Sequence, residues 1–62
     1  MTRETAAEAS RQIHEINTIT RAWGAQTGVY EVTLADGQAI RIHAAQGAAD
    51  ELRTLGYELA EV

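Results

Sequence analysis

Sixty-two residues with a formal net charge of −4 make one domain near the lower size limit for independent folding. The absence of cysteine excludes disulfides and thiolate metal sites as sources of stability. No apolar run approaches the roughly 20 residues of a membrane span, and the acidic balance disfavours nucleic acid and favours a basic protein surface as partner.

The start of the chain, MTRETAAEAS, is charged and lacks the apolar centre of a signal peptide, so a cytoplasmic location is expected. Residues 1–4 are expected to fray. From about Thr5 to Trp23, small or apolar residues fall at Ala6, Ala9, Ile13, Ile16, Thr20 and Trp23, with Ile19 widening the stripe. That spacing is one face of a helix. Thr5 and Glu8 fit a capping box at its start, and Gly24 suits the left-handed residue after its end. Trp23 is expected in the core, with a partly exposed partner anchor as the competing reading. His14 lies on the polar face with no second ligand at metal spacing, so no metal is expected.

The next stretch, TGVYEVTLADGQAIRIHA, reads as a hairpin. Asp36-Gly37 is the dipeptide of a two-residue type I′ turn. That register, however, places Val32 opposite Arg41 and Glu31 opposite Ile42, which mixes apolar and charged side chains on both faces. A three-residue loop, Ala35-Asp36-Gly37, instead sets Val32 against Ile40 and Tyr30 against Ile42. It sets Glu31 against Arg41 and Val29 against His43 on the other face. Slipping by one residue inverts a strand's faces, so the pattern selects the longer loop, with Gly37 left-handed in a G1 bulge.

A second helix is expected from about Gln46 to Leu55, with Ala45, Ala48, Leu52 and Leu55 on one face and Gly56 ending it. YELAEV then alternates as a last strand. The order α-β-β-α-β, with a crossover that spans one strand, places the first strand in the centre of a three-stranded antiparallel sheet. Both helices cover one face of it. The expected fold is a small two-layer α+β domain occupying residues 1–62.

No motif names a reaction. The chain has no lysine for a P-loop, no dinucleotide fingerprint and no nucleophile elbow. Its length resembles that of the small tautomerases, but those depend on an N-terminal proline and this chain has no proline. No cofactor is implied. Glu31, Arg41 and His43 share the open sheet face and are able to perform acid–base chemistry on a small anion. The simpler reading is a cross-strand ion pair beside an edge histidine, because a flat face does not enclose a substrate. The C-terminal part carries Asp50, Glu51, Glu58 and Glu61 against Arg53 alone.

The expectation is therefore a non-catalytic protein-interaction module, an acidic inhibitor or adaptor, and possible homodimer. Trp23, Glu31, Arg41, His43, Glu58 and Glu61 are its candidate contact residues. In size and charge the chain is similar to phage-encoded inhibitors of bacterial defence, anti-CRISPR proteins among them. The alternative is a small homo-oligomeric enzyme or ligand-binding protein with an intersubunit site around His43, Arg41 and Glu31.

Overall fold

The computed structural model describes residues 3–62. In chain order it comprises α1 (Arg3–Trp23), β1 (Gly28–Thr33), β2 (Ala39–Ala44), α2 (Gln46–Thr54) and β3 (Glu58–Glu61). The sheet order is β2-β1-β3, with both pairings antiparallel and β1 in the centre. This is the expected α+β domain, with both helices packed on one side of the sheet.

Helix α1 begins earlier than the capping pattern suggests, so Thr5 lies inside its first turns and is not the cap. Of the segment expected to fray, residues 1 and 2 fall outside the described residues, while Arg3 and Glu4 are helical. At 1.5 Å per residue, α1 is roughly 32 Å long, and it sets the 34 Å longest dimension of the molecule. A six-residue strand spans only about 20 Å. The first two turns of α1 therefore overhang the sheet, and burial starts at Ala9.

Core packing follows the helical stripe and the strand alternation. Ile16, Ile19 and Thr20 of α1 meet Tyr30, Val32 and Leu34 of the hairpin and Ala48, Ala49 and Leu52 of α2. The alanines of α2 let its backbone come close to its neighbours, which is how a chain poor in large apolar residues still excludes water. Ile16, Val32 and Leu52 are the largest fully buried side chains; truncating Ile16 or Leu52 to alanine costs about 2–5 kcal/mol. The one buried polar residue among those described, Thr20, donates its hydroxyl to the carbonyl of Asn17 at 3.1 Å.

The hairpin takes the three-residue loop. Val32 pairs with Ile40, Tyr30 with Ile42, Glu31 with Arg41 and Val29 with His43. The amide of Leu34 donates to the carbonyl of Gln38 at 2.8 Å, and Gly37, at φ +86°, donates to the carbonyl of Leu34 at 2.9 Å. Two helical expectations fail at the margins. Ile13 is 40% exposed because it lies at the side of the stripe, and Leu55 is 54% exposed because α2 ends at Thr54.

Candidate partner-binding surface

Trp23 ends α1, where the helix runs past the start of α2. Its indole packs against Gly47, so close that a Cβ placed there would fall 2.8 Å or less from three ring carbons. Its Nε1 donates to Glu51 Oε1 at 3.2 Å. Glycine at position 47 thus leaves room for the ring, and one turn later Glu51 fixes its azimuth. Trp23 nevertheless remains 49% exposed, so it is not the core residue the sequence leads one to expect. It is a large amphipathic side chain held in one orientation with half its surface facing solvent. Next to Glu51, Asp50 forms the only ion pair among the described residues, with Arg53 at 3.5 Å.

The second surface is the uncovered face of the sheet. The two strand registers arrange it as three rows. His43 and Val29 form one row, extended by Val62, whose amide donates to the carbonyl of Val29 at 3.1 Å. Arg41, Glu31 and Ala60 form the next row, and Ala39, Thr33 and Glu58 the third. Glu31 and Arg41 are in register, as the alternation requires. They form no ion pair, however, which corrects the expected matched pair. Both side chains are exposed, and solvation competes with a contact worth about 1 kcal/mol or less.

The structure thus gathers Glu31, Arg41 and His43 on one face with Glu58, and it separates the other two candidates from them. Glu61 pairs with Tyr30 and therefore lies on the helix side of the sheet, opposite to Glu58. Trp23 belongs to the helical layer. The acidic C-terminal cluster is accordingly not one patch, because successive β3 residues face opposite ways.

Two further constellations were not visible in the sequence. On one flank, a groove of about 430 Å³ runs between α1 and the turn after α2, lined by Glu8, Arg11, Gln12, Glu15, Leu55 and Tyr57. Tyr57 donates its hydroxyl to Glu15 Oε1 at 2.5 Å. Burial, the Glu15 hydrogen bond and the negative charges of Glu15 and Glu8 together hold this phenol well above the ordinary tyrosine range. On the other flank, the C-terminal half of α1 and β2 form a smaller cleft that includes Arg41 and His43. Its other lining residues come from α1, the loop after it and Ile42 of β2. No periodicity within one element could have announced that meeting.

Among the described residues no group of three or more His, Asp or Glu side chains could hold a metal ion. No described helix is long and apolar enough to cross a membrane. The chain matches no protein-family model, and comparison with curated proteins and with solved structures finds no significant relative.

Proposed function

We propose that this protein acts by occupying a surface of another protein, as an acidic inhibitor or adaptor of the kind phages direct against bacterial defence, with Trp23 as its anchor. The observation that supports this reading is the pinned, half-exposed indole. Interface energy concentrates in a few aromatic and arginine anchors, and a side chain ordered before binding loses less entropy when it docks. The adjoining carboxylates of Asp50 and Glu51, in a chain of net charge −4, favour a partner with an apolar pocket rimmed by Arg or Lys.

Affinity capture from the source cells with mass spectrometry names the partner, and binding of the purified partner is then compared across variants. Trp23→Ala is expected to weaken it by about 2 kcal/mol or more, roughly 30-fold. Gly47→Ala keeps the indole but displaces it, and is expected to weaken binding as well. Reversing Glu58 and Glu61 to Arg is expected to slow association and reduce its salt dependence. If Trp23→Ala binds like the wild type, the anchor is elsewhere and the reading fails.

A second reading keeps the alternative of a homo-oligomeric ligand-binding protein or enzyme. It is favoured by the way Arg41 and His43 line a cleft at a sheet edge where a second copy could add groups. Under that reading His43→Ala or Arg41→Ala removes function while the fold and partner binding survive.

A further inference from the structure

The hydrogen-bond pattern shows which backbone groups of the sheet are already paired. The amide of Leu34 donates to Gln38 across the hairpin, and the carbonyl of Leu34 accepts from Gly37. Backbone groups alternate sides along an antiparallel strand. Val32 and Tyr30 therefore also turn theirs toward β2, and Ile40, Ile42 and Ala44 turn theirs toward β1. Ala39, Arg41 and His43 are left pointing both N–H and C=O off the free edge. Among the described residues no other group bonds to these amides and carbonyls. All three residues are exposed. An open cleft of about 340 Å³ lies between this edge and α1, so the helix does not cover it.

The opposite edge of the sheet differs. The amide of Val62 donates to Val29, so Ala60 and Glu58 turn their backbone groups toward β1, and Leu59 and Glu61 turn theirs outward, as does Tyr57 just before the strand. The amide of Tyr57 is taken by the carbonyl of Leu52 at 3.1 Å, and the carbonyl of Leu59 accepts from the Arg53 guanidinium at 3.5 Å. The β3 edge is thus blunted by its own chain, and β2 is the edge with its donors and acceptors free. This asymmetry bears on how copies assemble. Pairing β2 with β3 would repeat head to tail without end, whereas pairing β2 with β2 closes on a two-fold axis.

We propose that β2 pairs antiparallel with β2 of a second copy, joining two three-stranded sheets into one about a two-fold axis at Ile42. An identical strand answers each outward N–H with a carbonyl and each outward carbonyl with an N–H. Face alternation limits the register, because helix-side residues must oppose helix-side residues. Centring the axis on Arg41 sets two guanidinium groups directly opposite each other, which is destabilising. Centring it on Ile40 sets His43 against the turn at Gly37 and wastes the end of the strand. Centring it on Ile42 sets Arg41 of each copy against His43 of the other, and each such pair exchanges two backbone hydrogen bonds. On the helix side Ile40 then opposes Ala44, and two partly buried Ile42 side chains meet at the axis, which adds apolar contact to a core with four alanines. The pairing gives the homo-oligomeric reading its interface and does not involve the Trp23 anchor.

The test combines amide hydrogen exchange of the whole chain with single-cysteine crosslinking. As concentration rises through the association transition seen by sedimentation, the amides of Arg41 and His43 are expected to exchange about tenfold more slowly or less than that rate. The outward amide of Glu61 on β3 is the internal control and stays fast. The chain has no cysteine, so a single one reports on its own two-fold mate. Ile42→Cys is expected to form a disulfide-linked dimer under mild oxidation, because directly opposed residues lie within disulfide reach. Ile40→Cys, whose mate lies several residues along the strand, is expected not to. Arg41→Pro removes an outward amide that the sheet itself does not use, and is expected to raise the dimer dissociation constant about 30-fold, as loss of two symmetry-related hydrogen bonds does. If that variant does not fold, exchange and crosslinking decide. A chain that stays monomeric overturns the pairing, and so does a dimer in which Arg41 and His43 still exchange fast. Crosslinking at Ile40 in place of Ile42 overturns the register.

Discussion

Asp36 and Gly37 show how much one turn settles at the scale of single residues. The Asp36 carboxylate accepts the amide proton of Gln38 at 2.9 Å, and Gln12 of α1 accepts the amide proton of Ala35 at 2.7 Å. The loop is thus held by its own side chain and by the helix above it. Gly37 has nothing within 4 Å of a Cβ built on it, yet its φ is +86°. Gly37→Ala therefore meets no clash and carries only the left-handed penalty, about 1 kcal/mol. Chemical denaturation should show that loss with an unchanged slope. An equally stable variant would mean that the turn relaxes to another form. This register was legible in the sequence because face alternation discriminates between two loops that turn propensity alone leaves open. The Asp36-Gly37 dipeptide by itself points to the wrong one.

At the scale of elements, α1 and the segment after α2 are joined through Tyr57 and Glu15, residues 42 positions apart. The hydrogen bond requires a protonated phenol, and burial together with the carboxylates of Glu15 and Glu8 keeps it protonated in the folded state. The unfolded chain releases that proton near the ordinary tyrosine value, about 10. A group whose folded value is raised gives stability that is complete below its unfolded value. That stability then drains away as pH climbs from about 10 toward the raised folded value. Wild type should therefore lose stability with rising pH above 10 more steeply than Tyr57→Phe, when the two are compared by urea unfolding at matched ionic strength. Parallel curves would show that the phenol titrates alike in both states. Helix α1 itself was legible from its apolar spacing. Its overhang was not, because the spacing continues through Ala6 and Ala9 whether or not a sheet lies beneath them.

For the whole molecule, the question is what meets the sheet edges. β2 and β3 each pair on one side only, and β2 carries neither lysine nor proline to deter a second strand. With alanine at four of the ten buried core positions, the core is thin, and we propose that two copies associate. Sedimentation at micromolar concentration should then give a species heavier than the 6.7 kDa chain, with a melting temperature that rises with concentration. A single species of monomer mass whose melting is independent of concentration refutes this. The same measurement tests the homo-oligomeric reading, since a site completed by a second copy requires the heavier species.

The order of elements, the pairing of Val32 with Ile40 and the sidedness of the sheet were determined by the sequence itself. They depend on local quantities: helical spacing, strand alternation and the backbone freedom of Gly37. Those signals repeat over several residues, so a single exception such as Ile13 does not erase them. The posture of Trp23 was decided only by tertiary structure, because whether an indole at a helix end is buried depends on what crosses it. Here Gly47 leaves room beside the ring and Glu51 holds its Nε1. The approach of the end of α1 and Gln26 to the β2 edge, and the bond between Glu15 and Tyr57, have the same origin. Each joins residues whose separation along the chain is set by the connections between elements, and their proximity exists only once the helices have packed across the sheet.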